Sequence, residues 1–163
     1  MKEIELTKGM KTIVDDADFE MLNAFKWCTT TGHKTFYAAR GVSVGPGKRR
    51  LQLMHRVIMG QEPFPRAEMD HINGNGLDNR RTNLRWASKS ENRRNEPKRN
   101  GYSNKYKGVG KVKNRNKFRA YIRHPETQKQ IFLGHWDNEI DAAKAYNKAA
   151  IEYHGEFAWL NAV

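Results

Sequence analysis

One cysteine, Cys28, stands in 163 residues. An internal disulfide is therefore excluded, no C-x-x-C pair exists, and a structural zinc site would have to be built from His or carboxylate ligands, so none is expected. Cys28 reads as a small buried side chain rather than a nucleophile. Long apolar runs are missing too, as is a basic amphipathic helix with a broad apolar face, which removes a membrane span or membrane surface from the expected partners. The opening residues MKEIELTKGMK alternate polar and apolar positions instead of forming the apolar stretch of a secretory signal. A reducing, cytoplasmic setting is the expectation.

Acidic residues are scarce relative to basic ones, 18 against 30, for a formal charge of +12. A surplus of this size attracts polyanions, because neutralising phosphates releases condensed counterions. Nucleic acid is the leading partner. The surplus is uneven: residues 101–136 hold nine basic side chains and one acid, Glu126, whereas 137–163 hold two basic and five acidic.

Short strands are expected at Lys2–Leu6, Lys11–Val14, Thr35–Arg40 and Arg49–Leu53, with a short helix from Asp15-Asp16 to Leu22-Asn23 and a turn at Gly45-Pro46-Gly47. His55–Met59 is an apolar run broken by Gly60. Asp70–Ile72 reads as extended, Asn73-Gly74-Asn75-Gly76 as a turn and Asn83–Ala87 as a second strand. Ser88 and Glu91 match a capping box, opening a helix through Asn92 to about Asn95. Residues 97–103 read as a linker. Strand-like segments near 106–113, 117–123 and 129–134 precede a helix from about Asn138 to His154. Ile140, Ala143, Tyr146 or Asn147, Ala150 and Tyr153 recur there at helical spacing, and Gly155 marks its end.

Asp70-His71 carries the chemistry. Hydrolysis of a phosphodiester needs a water made nucleophilic and a cation to stabilise charge on the phosphorane and leaving oxygen. A neutral imidazole can take the water's proton near neutral pH. A carboxylate can hold a hard divalent ion, Mg²⁺ with Mn²⁺ as the alternative, and Asn92 one turn into its helix can offer an amide oxygen to the same ion.

The run Asp70-His71-Ile72-Asn73-Gly74-Asn75, Leu77-Asp78-Asn79, Asn83-Leu84-Arg85-Trp86 and Glu91-Asn92 resembles the HNH homing endonucleases of phages and mobile introns, in their H-N-N branch. The resemblance implies a ββα-metal site with His71 as general base, Asp70 and Asn92 as metal ligands, and Asn83 as the residue that ties the loop and orients the histidine. His55-Arg56 matches an upstream His-Arg of many relatives; a site role and a structural role for His55 stand open together. Arg56 and Arg93 are supporting candidates. His33, His124, His135 and His154 read as ordinary surface or core histidines.

In Lys117-Phe118-Arg119-Ala120-Tyr121-Ile122-Arg123, alternation sends Phe118, Ala120 and Ile122 to a core and Lys117, Arg119, Tyr121 and Arg123 to the other face. With Lys111, Lys113 and Arg115 alongside, that face suits the groove of a nucleic acid, Lys tracking phosphates and Arg reading base edges. Simple alternation would put Lys111 and Lys113 on the core side with Val109 unless a bulge intervenes. Tyr106-Lys107-Gly108-Val109, Ile122-Arg123-His124-Pro125, Ile131-Phe132-Leu133-Gly134 and Ala142-Ala143-Lys144-Ala145-Tyr146, with Leu160-Asn161, resemble the Apetala-two/ethylene-response-factor DNA-binding domain over about 104–162. That implies a three-stranded sheet in the major groove, backed by one helix. Gly110-Lys111-Val112-Lys113 and Asn114-Arg115 depart from the plant pattern, so its sequence preference does not carry over.

The expectation is an α+β chain: a nuclease module over 1–96 with its ββα-metal core at 70–96 behind a β-rich N-terminal extension, a linker, and a DNA-binding sheet over 104–163. Its function would be metal-dependent, homing-type cleavage of double-stranded DNA by a monomer or homodimer in a bacterial or phage-infected cell. The main rival is a non-catalytic DNA-binding regulator on the same scaffold. RNA binding ranks lower, since no aromatic stacking motif is evident.

Overall fold

The computed structural model describes residues 1–32, 35–98 and 104–163. It divides into two compact units, Met1–Lys89 and Ser90–Val163. His33, and the part of the expected linker at 99–103, lie outside the described residues.

In the first unit, β1 (Lys2–Glu5) pairs antiparallel with β2 (Lys11–Val14), followed by α1 (Asp16–Asn23). Asp16 and Asp18 sit in the first turn of α1, where acids complement the helix dipole. A three-stranded antiparallel sheet in the order β3-β4-β5 comes next: β3 (Cys28–Thr31), β4 (Phe36–Gly45) and β5 (Lys48–Leu53). β3 was not expected from the sequence, and Cys28 is half-buried there, its thiol donating to Ala39 O at 3.1 Å. The apolar run at 55–59 is a helix, α2 (Met54–Met59). Then β6 (Glu68–His71) pairs antiparallel with β7 (Leu84–Ala87), and α3 (Lys89–Asn95) follows directly.

Ile4, Leu6, Val14, Leu22, Trp27, Ala38, Met54, Ile58 and Leu84 form the core of this unit. Each fully buried Leu or Met contributes about 1.5–3 kcal/mol of transfer free energy. The N-terminal strands do more than extend the module. Ile13 N donates to Leu77 O (2.9 Å) and Asn79 N to Ile13 O (2.8 Å), so β2 grips the loop between β6 and β7. Arg81 adds a clamp through Nε and Nη2 to the buried carboxylate of Asp18 at 2.8 and 2.7 Å.

In the second unit the sheet order is β10-β9-β8, all antiparallel: β8 (Val109–Lys111), β9 (Phe118–Arg123) and β10 (Gln130–Trp136). α4 (Glu139–His154) closes the unit, capped by Asn138, whose side chain accepts from Asp141 N. Ala142, Ala143, Ala149 and Ala150 are buried, and their small side chains let α4 lie close to the sheet. Ile140, expected on that face, is 48% exposed, because the alanine pair at 142–143 and Tyr146 define the packed face instead. Gly108 has φ +73°, and a Cβ there would stand 2.0 Å from the Tyr146 ring, so glycine is required both for the turn and for the approach.

The division between units falls inside α3, ahead of the expected linker at 97–103. The physical reason lies in the last turn of that helix. Lys107 Nζ donates to the carbonyls of Arg94 and Glu96, both at 2.6 Å, and Arg94 donates to Pro125 O at 2.9 Å, which binds the end of α3 to the C-terminal sheet.

Candidate active site

Alternation along β6 turns Asp70 and His71 to opposite sides of the strand, and both are buried, 4% and 5% exposed. Asp70 faces Arg85, its Cα partner on β7, and Arg85 Nε and Nη2 approach Oδ2 at 2.8 and 2.7 Å. The guanidinium offsets the cost of burying the carboxylate.

His71 is oriented by a polar relay that starts on β2. Thr12 Oγ1 donates to Leu77 O (2.7 Å) and accepts from Asn79 Nδ2 (2.7 Å). Thr12's one proton is thereby spent on Leu77, and the Asn79 amide must present its nitrogen to Thr12. Its oxygen, Oδ1, then faces His71 Nε2 at 3.3 Å. That contact is a hydrogen bond only when Nε2 carries the proton, which leaves the lone pair on Nδ1. Burial holds the His71 pKa below the ordinary imidazole value, against the Asn79 hydrogen bond and the charges of Asp70 and Asp78, which act in the opposite direction.

Asn83 closes the intervening loop. Its Nδ2 donates to Asn73 Oδ1 (3.0 Å) and Asp78 O (2.8 Å), while its Oδ1 accepts from Asn73 N (3.0 Å). Its own carbonyl accepts from Ile72 N at 2.9 Å, next to the histidine. Asp78 is held by Arg80, whose Nε and Nη2 reach its two oxygens at 2.7 and 2.6 Å, and by Asn73 Nδ2 at 2.8 Å. The Arg80 hydrogen bonds keep the Asp78 carboxyl below its usual range.

His55, on α2, is buried with its ring centroid 5.1 Å from that of His71, edge to face. Burial first, then the neighbouring His71 and Arg56, push its pKa down to about 3. It is a neutral packing partner of the site histidine. Arg56 turns outward to Glu62 at 2.9 Å. Tyr37 on β4 completes a trio of rings, 5.5 Å from His55 and 5.7 Å from His71. Its ring is flanked by two glycines, since a Cβ at Gly32 or Gly76 would stand 2.2 or 2.5 Å from it. Thr12, Tyr37 and Asn79 are the surroundings of His71 that the sequence did not single out. Asn79 lay inside the motif itself, but Thr12 and Tyr37 carry no local signal.

Asn92 and Arg93 lie on α3 in the second unit, Asn92 half-buried and Arg93 exposed. Of the residues expected to contact DNA from the C-terminal sheet, Arg119, Tyr121 and Arg123 alternate with buried Ala120 and Ile122 along β9. Lys111 ends β8 and is exposed, so the alternation that would have turned it inward stops there. Lys113 and Arg115 are exposed in the connection to β9, closed by Val112 N to Lys117 O at 2.9 Å. Lys117 precedes β9 and is paired with Asp137 at 3.2 Å. β10 adds Phe132, the Cα partner of Tyr121, and His135, the partner of Arg119. Both are exposed, and their rings meet at 4.9 Å.

No helix among the described residues is long and apolar enough to cross a membrane. No group of three His, Cys, Asp or Glu side chains comes together among them either.

Residues 52–94, from the end of β5 through α3, match the HNH endonuclease family. A protein of Acanthamoeba polyphaga mimivirus named as an uncharacterized HNH endonuclease is 31% identical, over 89% of this chain and 75% of the relative. No solved structure matches. The chain belongs to the HNH endonuclease family.

Proposed function

We propose that the chain is a divalent-metal-dependent endonuclease that hydrolyses phosphodiester bonds of double-stranded DNA. The observation that carries this reading is the relay from Thr12 through Asn79 to His71, which turns Nε2 of a buried imidazole to Asn79 Oδ1, one residue from a buried carboxylate. In this role His71 Nδ1 takes the proton of the attacking water. Asp70 would hold the metal, Mg²⁺ or Mn²⁺, and Asn92 enters as second ligand on its place in the motif; the ion supplies stabilisation of charge on the phosphorane and leaving oxygen. Asn83 is a positioning residue that fixes the loop behind the histidine, and His55 packs against its ring.

The outer face of the C-terminal sheet serves as the DNA anchor, with Arg119, Tyr121 and Arg123 central, Lys111, Lys113 and Arg115 at its margin, and Phe132 and His135 extending it onto β10. A tethered anchor raises the effective concentration of the cutter at its site. One chain has one site, so a single copy nicks, leaving 3′-hydroxyl and 5′-phosphate ends, and a homodimer would cut both strands as a homing-type enzyme needs. The test is conversion of supercoiled plasmid to the open-circular form with Mg²⁺. Wild type should nick, and neither wild type in EDTA nor His71→Ala should. Binding without any metal-dependent nicking would assign the chain to the regulators instead.

A further inference from the structure

Between Glu20 and Glu62 the sequence has no acidic residue and seven Lys or Arg. The β4–β5 hairpin lies in this stretch. Its base is packed, with Ala38 and Ala39 buried. Arg40 is fixed there too, its Nε donating to Gln52 Oε1 at 2.8 Å and its guanidinium 3.6 Å above the Phe25 ring. Beyond Arg40 the hairpin becomes an arm. Gly41, Ser43 and Val44 on one strand and Lys48, Arg49, Arg50 and Leu51 on the other are exposed. The strands pair with Val42 opposite Arg50 and Ser43 opposite Arg49, and the register then shifts at a bulge so that Gly45 faces Lys48 next to the tip. Pro46-Gly47 closes them, Gly47 at φ +67°, the conformation a tight Pro-Gly turn needs. The charged ends of Lys48, Arg49 and Arg50 take no ion pair or hydrogen bond among the described residues.

We propose that this arm is a second DNA-binding element, a two-stranded ribbon that enters the major groove of duplex DNA beside the cut, with Lys48, Arg49 and Arg50 on the phosphates and base edges. The proposal rests on the nuclease reading for the word "cut" alone. A major groove admits a two-stranded β-ribbon, arginine and lysine are its commonest base and phosphate contacts, and exposed Val44 and Leu51 offer apolar surface to thymine methyl groups. The arm and the site share β4, since the Tyr37 ring at its base lies 5.7 Å from that of His71, tilted by 46°. From Tyr37 to Gly45 the strand reaches roughly 26 Å at ~3.3 Å per residue, or about eight base pairs of B-DNA. Contacts made by the arm would therefore lie on one side of the scissile bond, within a single helical turn of it.

The contrary reading is that these cations only guard the exposed edge of β5 against pairing with another chain. A triple variant, Lys48→Ser with Arg49→Ser and Arg50→Ser, separates the two. Binding is read by fluorescence anisotropy on a labelled mixed-sequence duplex in EDTA, so that cleavage plays no part. The variant should bind about tenfold or more weakly near physiological salt, and its log–log salt slope should fall by about 2–3, roughly one per lost phosphate contact. Its footprint should shrink on one side of the site. Arg49→Ser and Arg50→Ser singly should each lower the slope by about 1. Unchanged affinity and slope overturn the proposal, as does an equal loss in a charge-matched variant of Lys129, Lys144 and Lys148. New self-association with unaltered DNA binding would establish edge protection instead. A wild type that binds through the arm yet never cuts would refute the nuclease reading and leave the arm standing.

Discussion

His71 gains its chemistry from atoms remote in sequence. Thr12 is 59 positions upstream of it, yet the direction of one hydroxyl proton decides which imidazole nitrogen is basic. Thr12→Val removes the acceptor that holds the Asn79 amide, so the amide is free to turn and the tautomer is no longer dictated. ¹⁵N spectra of the wild type should show His71 protonated at Nε2, and Thr12→Val should mix the two tautomers. In turnover, kcat should fall about 10- to 100-fold, a part of the roughly 10²–10⁴-fold that a general base contributes, with KM little changed. Spectra showing Nδ1 protonated in the wild type would refute the relay. His55 makes the companion prediction for stability. Its folded pKa of about 3 lies below the unfolded value near 6.5, so the unfolded chain binds the proton first as pH falls. Stability contributed by neutral His55 is full above pH 6.5 and declines towards pH 3. His55→Phe should flatten that decline, measured as urea midpoints at pH 4.5 and 7.5; an equally steep loss in the variant would contradict the assignment. Asp70 and Arg85 form a pair 5% and 11% exposed. Arg85→Ala leaves a buried carboxylate uncompensated and should cost about 3–5 kcal/mol of unfolding free energy, read from the same urea transitions.

At the level of elements, the β6–loop–β7–α3 stretch was legible because its residues are near neighbours: the Asp-His pair, the Asn-Gly turn and the β7 strand follow one another within 18 positions. The loop's reinforcement was not, since it comes from β2 and from Asp18, and no local pattern announces a bond across more than sixty residues. β3 was missed for a similar reason. Its CTTT stretch has no apolar alternation and becomes a strand by pairing Cys28–Thr31 with Ala39–Phe36. α4 shows the reverse case, a helix with correct bounds whose packed face shifts because alanine, not isoleucine, permits close approach to the sheet. Gly108 tests that closeness. Gly108→Ala would force a side chain into a positive φ and into the Tyr146 ring, and should lower the melting temperature of the second unit by several degrees, seen by differential scanning calorimetry. A neutral effect would mean that α4 has room to move off the sheet.

For the molecule as a whole, a +12 charge was a sound guide to the class of partner but not to the place of contact. The basic residues are divided between an arm on the first unit and a sheet face on the second, and the sequence drew attention to the second alone because its alternation with Ala120 and Ile122 is regular. The arm hides behind a Gly-Pro-Gly turn that reads as mere punctuation. The most direct test of the whole account is chemical rescue at the centre. His71→Gly should lose metal-dependent plasmid nicking, and added imidazole should restore part of it by replacing the missing base, while the same imidazole should do nothing for Asp70→Asn. Nicking by His71→Gly at the wild-type rate without imidazole would contradict the account.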